Sequence, residues 1–255
     1  MDEYYTMDPN QLEEAVKKYN PKVVIPVHLY GQTADMDSIM WLSERYGFYV
    51  LEDSAQAHGA MWKDKRAGSL GHLSAFSFYA SKNIPMGEGG AIATNDDKLA
   101  QEIKKWIDFG DHPAFNVRIT EFQAGIGYVQ LKKVEENNRR RREIALKYKK
   151  YLNGSFVHPE EREKAYHVYH LYTLRHPERD KIVESLKEKG IDARVYYPYL
   201  LHELRGAEHL PTPKAESFKK EVFSIPVHPY LMEEEVNFII DSLLSLAQLV
   251  PNPLY

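Results

Sequence analysis

The chain of 255 residues is 43% hydrophobic and 12% aromatic, carries a formal net charge of −4 and contains no cysteine. That apolar share supports a sizeable core, the slight negative charge gives the whole surface no attraction for nucleic acid, and the lack of cysteine excludes disulfides and thiolate metal sites and suits a reducing compartment. No apolar run approaches the roughly 18 residues of a membrane span and no segment reads as a signal peptide, so the expectation is a cytoplasmic protein of one large domain or one and a half ordinary ones.

Asp8 suits the N-cap of a helix that starts at Pro9 and runs to about Tyr19. Residues 22–29 are apolar with Pro26 inside, which predicts a buried parallel strand distorted at the proline or ending there. Asp35 or Asp37 caps a helix through residues 39–46, and Gly47 stops it. Residues 48–51 and 73–78 have the β-branched and aromatic character of strands. Strand, helix, strand at this spacing predicts an α/β protein with a mostly parallel sheet.

Two charged residues fall at the ends of those strands. Asp53 stands where the run at 48–51 stops, and Lys82 stands just past the run at 73–78. Ligands of open α/β sheets lie beyond the carboxyl ends of the strands. A lysine amine there can form a Schiff base once burial or a neighbouring cation lowers its pKa, and an aspartate can keep a pyridinium nitrogen protonated. Together they are the protein side of pyridoxal phosphate chemistry. Ser77, at the end of the second strand, offers a hydroxyl for a phosphate. The plainer reading of either charge alone is a turn-forming aspartate and a solvated loop lysine.

Residues 87–90, Gly-Glu-Gly-Gly, lack the Lys-Ser/Thr ending of a nucleotide cradle and read as a flexible turn after the lysine. A strand at 91–94 and a helix from Asn95 or Asp96 to Trp106 follow, then a loop over 108–117. Thr120 and Gln123 form a capping box that opens a long helix to about Leu152. Within it, Gly125 and Gly127 imply close packing on a partner helix or are incidental. Arg139, Arg140, Arg141 and Arg142, flanked by Glu135, Glu136 and Glu143, read as a solvated helical face rather than a nucleic-acid or membrane patch. From Ser155 a smaller α+β domain is expected, with strands at 169–174 and 191–197, a helix over 179–189 stopped by Gly190, and a last helix whose core stripe is Val236, Ile239, Ile240, Leu243, Leu244 and Ala247. Tyr196, Tyr197 and His202 read as packing around Pro198 in preference to substrate-side groups, and the scattered histidines, with no metal-ligand spacing, as structural or solvent-facing.

The motifs Glu52-Asp53-Ser54-Ala55-Gln56-Ala57-His58-Gly59-Ala60, Gly68-Ser69-Leu70-Gly71, Phe76-Ser77-Phe78 to Lys82-Asn83 and Gly87-Glu88-Gly89-Gly90-Ala91 resemble the DegT/StrS family of sugar aminotransferases, which use pyridoxal phosphate on the fold-type-I aminotransferase scaffold. Further matches are Val27-His28-Leu29-Tyr30-Gly31-Gln32, the stretch from Asn116 to Ala124, and Ile225-Pro226-Val227-His228-Pro229-Tyr230, in the expected order along nearly the whole chain. The resemblance implies that Lys82 carries the cofactor and shuttles protons, Asp53 pairs with the pyridine nitrogen, Gln56 lies near its phenolic oxygen and Ser77 holds the phosphate. It also implies that Asn116 reaches the phosphate of a neighbouring subunit across a homodimer interface. The family's dehydratase branch replaces this lysine by histidine, so Lys82 points to transamination of a nucleotide-linked keto-deoxysugar with glutamate as donor, and away from dehydration.

Family members normally carry roughly a hundred residues before the equivalent of Met1, including the first sheet strands, a ring-stacking aromatic and a helix N-terminus that binds phosphate. The resemblance therefore implies a partial cofactor-binding α/β domain over residues 1–118 whose sheet is incomplete on its N-terminal side, a connecting helix over 119–152 and the small α+β domain over 153–255. On that reading the chain is a fragment of a longer protein, or a separate polypeptide supplies the remaining half, or the chain is a non-catalytic dimerisation and scaffolding module.

Overall fold

The computed structural model describes residues 1–107, 117–204 and 211–249. The expected loop over 108–117, Val117 apart, and with it Asn116, lies outside the described residues. The chain divides into two compact units, Tyr5–Asn138 with Glu161–His170, and Met1–Tyr4 with Arg139–Glu160 and Leu171–Tyr255. Among the described residues no helix is long and apolar enough to cross a membrane.

The first unit begins with α1 (Pro9–Tyr19), whose N-cap Asp8 accepts the Asn10 N–H at 2.9 Å, and β1 (Val23–Val24). Next come α2 (Met36–Tyr46), capped by Asp35 and ended by Gly47 at φ 76°, and β2 (Tyr49–Asp53). Then follow β3 (Met61–Trp62), β4 (Lys65–Arg66), β5 (Leu73–Ser77), β6 (Gly90–Ala93), α3 (Asp97–Ile107) and α4 (Glu121–Leu131). The main sheet has the order β1-β2-β5-β6, parallel over the first three strands, with β6 antiparallel to β5. Leu12 and Val16 of α1, Met36, Ile39 and Leu42 of α2, and Val24 and Val50 of the strands form its core. This is the α/β arrangement expected from the sequence, and a small antiparallel sheet of β4, β3 and β7 (Ala165–Tyr166), which the sequence did not announce, is added to it.

Pro26 shortens the first strand. β1 pairs with β2 at two residues, and past the proline Val27 regains a single bridge to Asp53. Proline has no N–H for the ladder, yet its carbonyl still accepts the Asp53 N–H at 2.9 Å.

The single helix expected from Thr120 to Leu152 is two helices. The capping box forms as predicted, but α4 stops at Leu131 and α5 spans Val134–Tyr151. The Lys133 N–H tightens onto the Gln130 carbonyl at 3.0 Å, and Val134 is buried directly after this turn. No glycine or proline marks it, so the pattern of propensities runs through the break. Gly127 is explained by a loop side chain rather than a helix: a Cβ there would lie 2.6 Å from Sδ of Met86, whereas a Cβ at Gly125 would meet open space.

In the second unit, β8 (Tyr172–Arg175) pairs antiparallel with β9 (Val222–Ile225), beside α6 (Arg179–Glu188), α7 (Pro213–Glu221) and α8 (Glu233–Leu249). The rings of Tyr148 and Tyr172 lie 5.2 Å apart and those of Phe156 and Phe223 6.1 Å apart, and Val236, Ile239, Ile240 and Leu243 are buried as the α8 stripe predicts. Two strand expectations change. Tyr169 takes a left-handed φ of 44°, so the strand opens at Tyr172, and of residues 191–197 only Arg194 bridges to Ser224. Tyr196 and Tyr197 are 47% and 44% exposed, which is too open for the packing role expected of them. The arginine run is not uniformly solvated either. Arg139 and Arg140 meet Glu143, but Arg141 is buried and donates to the Val227 carbonyl at 2.5 Å, and burial lowers its pKa to about 10.

Candidate active site

β2 and β5 run parallel with Asp53 opposite Ala75, so the chain leaves both strands at the same end of the sheet. Asp53 is the last residue of β2. Its carbonyl accepts the His28 N–H at 3.0 Å, and its carboxylate accepts the Ala55 N–H at 3.0 Å, so it does cap the following turn. Lys82 lies on the loop between β5 and β6. That loop is clamped at its base by Phe78 N–H to Gly89 O at 2.9 Å and Met86 N–H to Phe78 O at 2.8 Å, and the Lys82 N–H closes a turn on Tyr79 O at 2.9 Å. The Lys82 side chain is half-buried. Burial lowers its pKa, and the Asp53 charge pulls the other way. Amine and carboxylate therefore lie within electrostatic reach of each other, although 29 positions in sequence (82 − 53) separate them.

Gln56 is buried and its Oε1 accepts the Tyr30 N–H at 2.7 Å, bracing a residue held at φ 60°. Its N–H groups are the part of this amide that a ring oxygen could use. Ser77, the last residue of β5, pairs with Gly90, and its Oγ accepts a long 3.4 Å bond from the Tyr79 N–H. One amine, one carboxylate and one hydroxyl at the ends of parallel strands fit a phosphorylated pyridine aldehyde, and among the described residues no cluster of His, Asp and Glu fits a metal ion.

Three further residues, quoted in the motifs above without a role, shape this site. Glu52 is fully buried and accepts four hydrogen bonds, from His28 Nε2 at 2.9 Å and from the N–H groups of Gly68, Leu70 and Gly71 at 2.7 Å each. The Ala34 N–H points at His28 Nδ1 at 3.1 Å, so the ring proton sits on Nε2 and is donated to Glu52. Burial alone raises the Glu52 pKa, but the His28 bond and the backbone donors outweigh it and the net shift is downward. A signal for this was present, since a charge at an inward strand position must be paired.

His58 lies against Phe76 and Phe78, with ring centroids 5.5 and 5.6 Å away, and neither ring nitrogen has a hydrogen-bond partner. Burial first and the Lys82 charge second lower its pKa to about 4, opposed by the Ser77 carbonyl, which lies beyond hydrogen-bonding geometry. At neutral pH the ring is uncharged and adds no positive charge beside Lys82. The third residue is Asn83, buried beside the lysine. An apolar cavity of about 640 Å³ adjoins His58, Phe76, Phe78, Met86 and Tyr128, and Asp53, Gln56, Ser77 and Lys82 are not among its lining residues.

The chain is similar to known proteins along nearly all of its length. The DegT/DnrJ/EryC1/StrS aminotransferase family matches residues 1–244. A protein of Geobacillus stearothermophilus named pleiotropic regulatory protein is 38% identical over 256 residues, covering 94% of this chain and 68% of its own length. The dTDP-3-amino-3,6-dideoxy-alpha-D-galactopyranose transaminase of Aneurinibacillus thermoaerophilus is 36% identical over 250 residues, covering 93% of this chain and 69% of its own. Among solved structures, DesV of S. venezuelae in complex with a ketimine intermediate has a TM-score of 0.91 at 34% identity, covering 97% of this chain and 71% of that one.

Proposed function

Since this chain belongs to the DegT/DnrJ/EryC1/StrS aminotransferase family, we propose that it transfers an amino group from glutamate to the keto carbon of a nucleotide-linked deoxysugar, with pyridoxal 5′-phosphate as cofactor. The class of enzyme, a pyridoxal-phosphate-dependent sugar aminotransferase, is that of its relatives and structural neighbours. The observation that carries the proposal for this chain is the pairing of a half-buried lysine of lowered pKa with an aspartate at the adjacent strand end.

When bound, the cofactor supplies the electron sink for moving an amino group. The chain's own residues do the rest. Burial keeps more of Lys82 as neutral amine than water would, which suits it to attach a carbonyl and to carry protons. The Asp53 carboxylate offers the negative charge that holds a proton on a ring nitrogen, at about 1.4 kcal/mol for each pK unit of bias. The N–H groups of Gln56 and the hydroxyl of Ser77 supply donors for the ring oxygen and the phosphate. Asn116 is proposed to reach the phosphate of a second copy in a homodimer, and the protein to work in the cytoplasm.

Incubation with glutamate and a nucleotide-linked keto sugar tests the reading: 2-oxoglutarate and amino sugar should appear in equal amounts, and cofactor-loaded protein that forms neither would refute it. Asp53→Asn should lower kcat by roughly 10²–10³ with little change in KM, because the charge acts on the reacting ring and not on the sugar. The same change should lower the Lys82 pKa further, since Asp53 is the group that raises it. A pH profile of kcat against that of the parent would show both effects.

A further inference from the structure

We infer that a buried chain of hydrogen bonds through His170, Asn83 and Asn138 fixes where the Lys82 amine sits, which makes Asn83 a positioning residue for the reaction proposed above. Asn83 Nδ2 donates to Asn138 Oδ1 at 2.8 Å and, more loosely, to the Val168 carbonyl at 3.4 Å. Asn138 Nδ2 in turn donates to the His58 carbonyl at 2.8 Å. Both amide orientations are forced, because turning either one would set carbonyl against carbonyl or amine against amine. Asn83 Oδ1 must then be the acceptor of the 3.1 Å contact with His170 Nδ1, which places the proton on that nitrogen.

The ends of this chain are what give it a function. Asn83 follows Lys82 directly, and His58 ends the short segment that starts at Asp53. One asparagine of α5, Asn138, therefore bridges the segment that carries the amine and the segment that carries the acid. Strand pairing sets Asp53 opposite Ala75, and the asparagine bridge adds a second tie between the two segments beyond the strand ends. Asn83 and Asn138 are 3% and 1% exposed, so water cannot replace a lost bond and each bond holds its segment firmly. Gly59 fits the same picture. Its φ is +84°, and a Cβ there would sit 2.7 Å from Asn138 Nδ2, so only glycine lets Asn138 approach the His58 carbonyl. A buried asparagine cluster can also serve packing alone. What distinguishes this one is that breaking it should move the Lys82 amine as well as the melting point.

The test reads Lys82 directly in the full chain without cofactor. Pulsed acetic anhydride labelling across pH, with mass-spectrometric readout at Lys82 and at the exposed Lys65 as reference, gives the midpoint of each amine. In the parent the Lys82 midpoint should fall below that of Lys65. In Asn83→Ala the amine relaxes towards solvent, so the midpoint should rise by about one pH unit and the Lys82 labelling rate near neutral pH should fall about tenfold. His170→Gln, which removes the imidazole bond to Asn83 Oδ1, should shift it the same way by less and serves where Asn83→Ala does not fold. A folded Asn83→Ala, or failing that a folded His170→Gln, with an unmoved Lys82 midpoint overturns the inference. Failure of pyridoxal phosphate and borohydride to modify Lys82 in the parent would instead reject the cofactor assignment, and would leave the labelling result standing.

Discussion

Lys82→Ala is expected to remove all borohydride-fixed pyridoxyl label from the protein and to lower transamination by at least ~10³-fold, because one side chain supplies both the nucleophilic amine and the proton carrier. The fold should be left almost intact. Lys82 is half-buried on a loop whose clamps, Phe78 to Gly89 and Met86 to Phe78, are backbone bonds that do not use its side chain. Far-ultraviolet circular dichroism and melting should thus match the parent while label and turnover vanish. Exogenous small amines should restore part of the proton-transfer rate but no covalent label. Label that persists at another lysine would show that the amine has been misassigned, since the lowered pKa that suits it for attack arises from burial at this position.

Glu52→Ala should produce the largest loss of stability, about 3–5 kcal/mol, because it leaves His28 and three backbone N–H groups buried without their acceptor. At roughly 2–4 °C per kcal/mol for a chain of this size, the melting temperature should drop by about 10 °C. Glu52→Gln should also be costly, since its amine would face donors. The same carboxylate predicts a pH dependence. Its folded pKa lies below the ordinary 4.5, so its contribution is fully present above the unfolded value and is lost as pH falls through the folded one. Parent protein should therefore lose stability below about pH 4.5, and Glu52→Gln should lose less over that window. Denaturant melts at a series of pH values would show it, and two parallel stability profiles would mean that the four-bond network does not hold Glu52 ionised.

The sequence by itself determined most of the local elements and where the candidate groups fall along them. Asp8, Asp35 and Gly47 cap and stop helices where their chemistry says, because capping is decided within one turn of chain. The strand-end positions of Asp53 and Ser77 and the loop position of Lys82 were legible because strand runs end visibly. Breaks caused by packing were not legible. The turn at Lys132 and Lys133 and the left-handed Tyr169 carry no glycine or proline to mark them, and the inward Arg141 is set by the Val227 carbonyl 86 positions away.

Tertiary structure alone decided how the site is held. Glu52 and His28 are 24 positions apart, Asn83 and Asn138 are 55 apart, and Asn138 and His58 are 80 apart. In each pair, only the fold shows that the partner is present. A side chain's charge and hydrogen-bonding capacity are written in its own letter. Whether burial lowers a lysine's pKa, or a neutral imidazole lies beside it, depends on solvent exclusion and on fields from residues that the linear order does not bring together.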